Sequence, residues 1–537
     1  MVWNRFLNGK RLRLSQVDDN RLKISNDTDS RNPFESDFGR VIFSSACRRL
    51  HDKTQVFPLT TDDNIHSRLT HSLEVMNIGL SFAIYLCGNK EFKKKTNLDT
   101  EDILRKISPI LKTSCLVHDI GNPPFGHFGE EVIQNYFEQL INDLKKDSNK
   151  LQTANYLSQY IINNIKNIDY IDKKEKINNE EISNIRERRR TKIWDEFEAF
   201  LSSDFVLDYT QFDGNAEGFR VLTKLQYLGD LYGLNLTYAT LASTLKYPNY
   251  KPANKDSSQI GQHKHGVFIT EKDVLSKIAK DSGLEYEEDI FKRHPLSFLM
   301  EAADSICYYV MDIEDANQKQ WVSLVDLREE IANNENISDD VKQKLTNNTN
   351  LTKGENLLEK KEWVSYRTTL LTHLMEVATK NFVNNLQEIE NGTYNKELIE
   401  DNDGVYKVLS QISKTKILPK REITSLELTG EAVISGILDA YIKLFFHTSK
   451  TFRDRGKSLI SRSIFMTVLH EHREKFKDDE DFSVKYMNKD NIDELYRNFD
   501  VADFTVEERF RLIRDFVACM TDKFALEHFQ KLSGQKI

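Results

Sequence analysis

One short stretch of the sequence, HDIGNPPFGHFGE from His118 to Glu130, combines residues that could do chemistry together. The adjacent His118 and Asp119 offer an imidazole and a carboxylate, which are common ligands of divalent metal ions. The Gly-Asn-Pro-Pro sequence after them predicts a rigid turn. His127 and Glu130 then lie one helical turn apart, so they share a helix face as an acid/base pair. This order suits a hydrolytic site, although an ordinary turn between two helices with surface histidines would have the same pattern.

Further candidate ligands lie in two strongly apolar segments. His71 belongs to HSRLTHSLEVMNIGLSFAIYLCG, which is apolar on all sides and therefore predicts a buried helix. A single buried histidine is more often a hydrogen-bonded core residue than a ligand. In LSFLMEAADSICYYVMDIEDA, Asp304, Tyr308 and Asp312 recur at helical spacing opposite an apolar stripe. Two imidazoles and two carboxylates would suit a divalent cation, but the sequence alone does not show that they converge.

Helices are the elements that must position these residues, because helix-breaking residues are scarce. The 537 residues include only nine prolines and 21 glycines, which favours long helices and an all-α fold with at most short β-hairpins. We predict a helix from Phe38 to Leu50, a helix around His71, and helices on both sides of the turn after Asp119. The segment GVFIT, residues 266–270, is predicted as a short strand. The length allows several domains or one large helical domain.

Composition limits the class of protein. A formal net charge of −9 with 30% charged residues suits a soluble protein and argues against a globally basic nucleic-acid-binding protein. A local basic patch is still an alternative, because basic residues cluster at 186–190 and in TFRDRGKSLISR, residues 451–462. The five cysteines are scattered without a CxxC pair, which favours a reducing compartment. We expect a cytoplasmic protein without a membrane span, since neither a signal peptide nor a long apolar run is evident.

Six sequence blocks together resemble one known family. The pattern formed by His71, the His118-Asp119 pair and Asp304 resembles the H…HD…D signature of the HD-domain metallohydrolases. Within that superfamily, DKTQVFPL, RLTHSLEV, HDIGNPPFGHFGE, GNAEGFR, TYATLASTLKYP and EAADSICYYVMDIEDA resemble the deoxyguanosine triphosphate triphosphohydrolases, in the order found in that family. The blocks span about residues 37–316.

The resemblance implies a predominantly helical HD-domain fold. Its motifs place a catalytic core at 37–316. From the residue pattern we predict an irregular segment at 1–36, a helical insertion in the core at about 144–200, and a helical C-terminal region at 317–537 that packs on the core. It also implies metal-dependent cleavage of dGTP, or of other deoxynucleoside triphosphates, into the nucleoside and tripolyphosphate by water attack at the α-phosphorus. One divalent cation per site is expected, with Mg²⁺ or Mn²⁺ ahead of other transition metals.

The resemblance also assigns roles to individual residues. The implied metal ligands are His71, His118, Asp119 and Asp304. The implied catalytic pair beside the α-phosphate is His127 and Glu130. The implied sugar-side residues are Gln55, Val56, Tyr308 and Asp312, and the implied phosphate-side residues are Asn215, Lys246 and Tyr247. Arg68 matches a substrate-side position more loosely, and Asn122 stands where other branches carry histidine, which is the pattern of the dGTP-preferring branch.

Two other functions remain open at this point. An HD phosphodiesterase acting on another nucleotide would share the metal ligands but would not need Lys246-Tyr247 together with Gln55-Val56. A nucleic-acid-binding protein with an HD core would explain the basic segments, although the complete ligand set and His127 weigh against a decayed site. The family further implies a homo-oligomer, often a hexamer, and suggests single-stranded DNA as an additional partner.

Overall fold

The structure, a computed structural model, describes residues 2–13, 29–55, 66–148, 156–167, 179–226, 230–346, 356–400, 404–477 and 492–536. In these ranges nearly all regular secondary structure is helical, which confirms the predicted all-α fold. The strands β1 (Glu285–Glu287) and β2 (Ile290–Phe291) form an antiparallel hairpin. Of the helices in these ranges, none is both long and apolar enough to cross a membrane.

The described residues contain 26 α-helices. The first are α1 (Val2–Phe6), α2 (Pro33–Ile42), α3 (Ser45–Arg49), α4 (Arg68–Gly88), α5 (Lys90–Thr96), α6 (Thr100–Asp102), α7 (Ser108–Val117), α8 (Gly126–Ser148) and α9 (Tyr156–Asn167). The next are α10 (Asn179–Ser202), α11 (Leu207–Thr210), α12 (Gly214–Arg220), α13 (Tyr238–Thr244), α14 (Lys272–Ser282), α15 (Pro295–Gln318), α16 (Leu324–Ala332) and α17 (Asp339–Thr346). The last are α18 (Asn356–Asn384), α19 (Leu386–Asn391), α20 (Val405–Ile412), α21 (Arg421–Phe445), α22 (Lys450–Leu459), α23 (Arg462–Lys475), α24 (Ile492–Asn498), α25 (Val506–Ala518) and α26 (Asp522–Leu532). Single π-helical turns occur at Ile103–Ile107, Val221–Leu225 and Ser413–Ile417.

Three helices, α4, α7 and α15, pack together in the hydrophobic core. Helix α4 begins at Arg68 because the Ser67 side chain accepts a hydrogen bond from an amide of the first turn. Helix α15 begins at Pro295, and the ring of His294 caps it by accepting an amide hydrogen bond at 3.1 Å. The predicted burial of His71 is confirmed, since its side chain is 1% exposed. The prediction that the helix is buried on all sides is wrong, because Leu73 and Ile84 are exposed on one face of α4.

The helix predicted from Phe38 to Leu50 is interrupted. Helix α2 ends at Ile42, and α3 starts directly after Ser44, whose backbone is extended. The Ser44 hydroxyl accepts a hydrogen bond from the amide three residues later at 3.1 Å, which starts a new helix. The apolar pattern crosses this break, so periodicity alone predicts one helix where there are two.

The strand predicted at residues 266–270 is also wrong. Ile269–Glu271 forms a 3₁₀ turn, because the Ile269 amide donates to the buried Asp208 carboxylate at 2.7 Å instead of to a neighbouring strand. The strands lie further along the chain, in the β1–β2 hairpin.

The turn after α7 packs directly on the backbone of α12. A Cβ atom on Gly121 would lie 1.9 Å from the Gly218 nitrogen, so only glycine permits this approach. A Cβ atom on Gly214 would lie 2.4 Å from both Asn122 Oδ1 and Glu130 Oε1. These glycines therefore bring the GNAEGFR block against the HDIGNPPFGHFGE block.

A buried ion network ties α12 to the C-terminal helices. The fully buried Arg220 guanidinium contacts Asp515 at 2.8 Å, Glu271 at 2.7 Å and Glu471 at 3.2 Å. Arg514 pairs with the second oxygen of Asp515 at 2.7 Å. Because a buried guanidinium must have its N–H groups satisfied, these carboxylates fix α12 against α23 and α25.

The helical insertion predicted at 144–200 contains α9 and α10, which pack on α8, α21 and α25. The side chains of its basic run at 186–190 lie outside the described part of the structure. The domain boundaries stay a prediction.

Two basic residues of TFRDRGKSLISR are buried. Arg453 is 1% exposed and pairs with Asp500 at 2.7 Å. Lys457 donates to the Tyr496 and Phe499 carbonyls, the latter at 2.9 Å, and burial lowers its pKa to about 8. Both cations therefore stabilise the packing around α22 and are not available to a nucleic acid.

We expect Gly121→Ala to destabilise the protein by about 3 kcal/mol, since the new methyl group would push the turn and α12 apart. The matched control is Gly88→Ala, because a Cβ atom at Gly88 meets no atom within 4 Å and alanine favours a helix. Chemical unfolding followed by circular dichroism measures both variants. Wild-type stability of Gly121→Ala would show that the close approach to Gly218 is unnecessary.

Candidate metal centre and active site

Three candidate ligands converge where α4, α7 and α15 meet. His71 Nε2 lies 3.3 Å from Asp304 Oδ1, and His118 Nε2 lies 3.2 Å from the same oxygen. The ligand atoms of His71, His118 and Asp304 all lie within 4.8 Å of one another. The two histidine side chains are buried, whereas that of Asp304 is 19% exposed, so solvent reaches the cluster at its carboxylate.

The His118 ring is prepared for metal binding by its second nitrogen. Its Nδ1 donates a hydrogen bond to the Cys115 carbonyl at 2.7 Å, which leaves Nε2 as the basic nitrogen. This buried Nε2 atom makes no hydrogen bond within the described residues. Burial opposes protonation of His118, but Asp119 and Asp304 outweigh burial and raise the pKa to about 10. A divalent cation would replace this proton, so the donor set fits a metal ion.

Asp119 lies beside the cluster and is also held by two neighbouring side chains. Its Oδ2 atom is 3.5 Å from His118 Nε2 and accepts a hydrogen bond from the Arg68 guanidinium. Its Oδ1 atom accepts a hydrogen bond from the Asn122 amide group at 2.9 Å. Burial opposes ionisation, but His118 and Arg68 outweigh it and hold the pKa of Asp119 well below its usual value. Asp119 is therefore ionised, and its role as a fourth ligand stays a prediction.

His127 and Glu130 form the predicted pair at the start of α8. The His127 side chain is 76% exposed, and its Nδ1 lies 3.4 Å from Oε2 of the buried Glu130. The other carboxylate oxygen of Glu130 accepts a hydrogen bond from the Gly214 amide at 3.2 Å. Glu130 raises the pKa of His127. The arrangement can therefore present an oriented imidazole that exchanges a proton with a bound molecule.

Of the predicted phosphate-side residues, Lys246 contacts the clustered ligand Asp304, whereas Asn215 contacts Asp213. Lys246 Nζ lies 2.5 Å from Asp304 Oδ2. Burial opposes the charge of this lysine, but Asp304 outweighs burial and raises the pKa of Lys246. The Asn215 side chain donates to Asp213 at 2.6 Å, and Tyr247 is half-buried.

Lys264 was not among the residues predicted from the sequence. Its Nζ lies 2.9 Å from Asp213 Oδ2 and 5.7 Å from the centre of the Tyr247 ring, and its side chain is 43% exposed. It therefore adds a partly exposed cation beside Asn215. Lys264 lies in a polar loop without helical periodicity, so its charge was the sole signal in the sequence.

The predicted sugar-side residues of α15 follow Asp304 by one and two turns. The Tyr308 hydroxyl lies 3.5 Å from Ser413 Oγ at the start of a π-helical turn, and burial raises its pKa to about 12. Asp312 is 3% exposed, and burial together with Asp315 raises its pKa. Both side chains thus favour neutral, hydrogen-bonding forms.

Of the other two predicted sugar-side residues, Gln55 and Val56, the structure describes Gln55. Gln55 is half-buried, and its Oε1 atom makes no hydrogen bond within the described residues. Val56 lies outside the described residues.

His66 was also not predicted, although it links the start of α4 to α15. Its Nδ1 lies 2.8 Å from Asp315 Oδ1, and its Nε2 lies 3.1 Å from Glu74 Oε1. Burial opposes protonation, but the two carboxylates outweigh it and raise the pKa of His66 to about 10. No local pattern marks this residue, because its partners lie on two different helices.

Comparison with known proteins identifies the family. The HD domain family matches residues 68–199. A deoxyguanosinetriphosphate triphosphohydrolase-like protein of Listeria innocua is 30% identical over 545 residues, covering 99% of this chain and 100% of the relative. The corresponding protein of Listeria monocytogenes is 31% identical over 548 residues, with the same coverage. The chain belongs to the deoxyguanosine triphosphate triphosphohydrolase family of the HD superfamily.

A family member from Yersinia pseudotuberculosis, named deoxyguanosinetriphosphate triphosphohydrolase, is 29% identical over 523 residues, covering 93% of each chain. The chain is thus an HD-type phosphohydrolase, and its HD domain implies a divalent metal ion. The cluster of His71, His118 and Asp304 fits such an ion.

We expect Asp304→Ala to lose stoichiometric metal and turnover, because its carboxylate is the group that both clustered histidines approach. Asp312→Asn is the control for metal content alone, because Asp312 is a buried carboxylate two turns further along α15 that lies outside the cluster but is a predicted sugar-side residue. Elemental analysis after dialysis measures metal content, and circular dichroism checks folding. Normal metal content in folded Asp304→Ala would exclude Asp304 as a ligand.

Proposed function

We propose that the protein hydrolyses dGTP, and also other deoxynucleoside triphosphates, to the nucleoside and tripolyphosphate. The observation that carries the proposal is the position of the Asp304 carboxylate. One of its oxygens lies near His71 and His118, and the other contacts Lys246. The names of the relatives support guanine as the preferred base, and Mg²⁺ or Mn²⁺ is the proposed metal ion.

The arrangement of charges favours the α-phosphorus as the reacting atom. A triphosphate carries several negative charges, and two cations are available to it: Lys246 contacts Asp304, and Lys264 lies beside Asp213 and the Tyr247 ring. Tyr308 lies one turn beyond Asp304 on α15 and would face the sugar. The bond between sugar and triphosphate would then lie beside the clustered ligands, as hydrolysis at the α-phosphorus requires.

A divalent cation held by His71, His118 and Asp304, with Asp119 as the proposed fourth ligand, would supply a Lewis acid for a phosphoryl oxygen. Lys246 would balance the charge that develops on the triphosphate. The ion pair between Arg68 and Asp119 keeps that carboxylate ionised and fixed in orientation.

His127 would move the proton. Its Nδ1 faces Glu130, so Nε2 is the nitrogen left for the substrate. The raised pKa of His127 favours the imidazolium form, which can donate a proton to the departing 5′-oxygen of the nucleoside. The Gly214 amide fixes the Glu130 carboxylate and thereby the orientation of the ring.

Selectivity for the deoxyribose sugar would come from Tyr308, Gln55 and Val56. The Tyr308 ring packs edge-on against Tyr309 at 5.1 Å between centroids, and its hydroxyl faces Ser413, so the ring is restrained. A restrained ring beside the proposed sugar site would crowd a 2′-hydroxyl and so discriminate against ribonucleotides.

A homo-oligomer, single-stranded DNA as a partner and a cytoplasmic location remain predictions from the sequence.

We expect dGTP to yield deoxyguanosine and tripolyphosphate as the only primary products, because water attacks the α-phosphorus. In ¹⁸O-labelled water the label should enter tripolyphosphate and not the nucleoside, as mass spectrometry of early time points would measure. A dGDP or dGMP product, or labelled deoxyguanosine, would exclude this bond cleavage. Turnover of a cyclic nucleotide instead of dGTP would favour the phosphodiesterase alternative.

We expect His127→Ala to lower kcat for dGTP by about 10²-fold or more, since the proton donor is removed. Metal content should be retained because His127 lies outside the ligand cluster. His51→Ala is the matched control, since His51 is 74% exposed and also lies next to a carboxylate, at 3.0 Å from Asp52. Loss of metal from His127→Ala would instead make His127 a ligand.

A further inference from the structure

The last helix of the chain reaches the edge of the site through one carboxylate. Asp522, the first residue of α26, is 2% exposed. Its Oδ1 atom accepts a hydrogen bond from the Phe125 amide at 3.0 Å. Its Oδ2 atom accepts hydrogen bonds from the Thr54 amide at 3.0 Å and from the Thr54 hydroxyl. A single side chain thus receives three donors from two segments that are distant in sequence.

Each of these segments carries a residue of the proposed site. Thr54 immediately precedes Gln55, which belongs to the proposed sugar side. Phe125 lies in the turn that ends just before His127. Asp522 therefore connects the sugar side to the proton-transfer side, through the backbone of both.

The backbone at Phe125 needs external support. Its φ is 63°, in the left-handed region that residues with a side chain seldom adopt, and Gly126 follows with a φ of 62°. Such a conformation persists only where surrounding contacts hold it. The hydrogen bond from the Phe125 amide to Asp522 is one of these contacts, and close packing of the Phe125 ring on Gly430 is another.

A second buried side chain, Lys53, links the same parts of the chain. Its Nζ donates to the Asn122 carbonyl in the turn and to the Ala518 carbonyl at the end of α25, the latter at 3.2 Å. Its own carbonyl accepts a hydrogen bond from the Arg68 amide at 2.9 Å. The corner between α25 and α26 is thus joined twice to the site, once by a cation and once by an anion.

We infer that Asp522 is a positioning residue for the reaction, which sets the placement of Gln55 relative to His127. The inference rests on the proposed function and extends it to the C-terminal helix. Asp522 makes none of its hydrogen bonds to His71, His118 or Asp304, so its loss leaves the metal cluster intact. A displacement of about 1 Å between reacting groups can cost about 10²-fold in rate.

The first test is Asp522→Asn in the full-length protein. The variant keeps the size of the side chain but replaces one acceptor oxygen by an NH₂ group, which cannot accept the amide of Thr54 or of Phe125. We expect kcat for dGTP to fall about 10-fold or more, with a smaller change in KM. The ratio of kcat/KM for dGTP to that for GTP should fall as well, and calorimetric affinity for Mn²⁺ alone should be unchanged.

Asp500→Asn is the matched control for a purely structural effect. Asp500 also lies in the C-terminal part of the chain, pairs with Arg453 at 2.7 Å and accepts the Ala502 amide at 3.0 Å. Its partners lie outside the proposed site. We expect a lower unfolding temperature with kcat and the dGTP preference retained.

A second pair of variants tests the same contact from the other side and decides the matter if Asp522→Asn does not fold. Thr54→Val removes the hydroxyl donor at nearly constant volume, whereas Thr54→Ser keeps it. We expect the valine variant to have a lower kcat for dGTP and a lower ratio of kcat/KM for dGTP to that for GTP. The serine variant should retain the wild-type value of both.

The inference is overturned if Thr54→Val and, where it folds, Asp522→Asn keep the wild-type kcat and the wild-type ratio of kcat/KM for dGTP to that for GTP, whatever their unfolding temperatures. It is also overturned if Asp500→Asn loses kcat to the same extent as Asp522→Asn. Failure of the wild-type protein to hydrolyse any deoxynucleoside triphosphate would refute the proposed function itself, and the inference with it. Activity of the wild-type protein therefore separates the two failures.

Discussion

The Asp304 carboxylate is half-buried between apolar helices, and its negative charge must be balanced there. Burial opposes ionisation, but Lys246 and His118 outweigh it and hold the pKa of Asp304 well below its usual value. Removing an ion from water costs several kcal/mol, which an ion pair offsets only when its partners are well placed. The partners of Asp304 come from α4, the end of α7 and the segment after α13, so the packing of these elements and the charge balance of the cluster depend on each other.

The turn after α7 depends on a different constraint, the space between two backbones. Gly121 and Gly218 allow α12 to approach the turn, and Gly214 can then bond Glu130 through its amide. Arg220, at the other end of α12, is fixed by three carboxylates from outside the turn. The orientation of the proposed proton donor therefore depends on a chain of contacts that extends from the turn to the C-terminal helices.

The sequence was informative where a residue lies in a segment with its own helical signals. His71, His118 and Asp304 each lie on, or directly after, an apolar helix. The family resemblance predicted that these three residues lie together, and the structure confirms it. The break between α2 and α3 at Ser44 was not predicted, because the apolar pattern continues across that residue. Domain boundaries and most of the roles assigned to single residues remain predictions, since they concern bound molecules and separable folding units.

Other parts of the site had no local signal in the sequence. Lys53, Lys264 and Asp522 are ordinary charged residues in turns, loops and helix ends, and what makes them notable is the identity of their partners. The partners of Asp522 at Thr54 and Phe125 lie several hundred positions away along the chain. Periodicity, capping and motif spacing describe neighbours in sequence, so contacts of this kind become visible only in three dimensions.

The contacts of the last helix also have a consequence during synthesis. A growing chain leaves the ribosome from its N-terminus, so α4, α7 and α15 can pack before α26 has been translated. At that stage the amides of Thr54 and Phe125 lack the carboxylate that accepts them in the finished protein. Incomplete chains, and fragments cut before α26, would therefore carry the ligand cluster without the final arrangement of the surrounding turn.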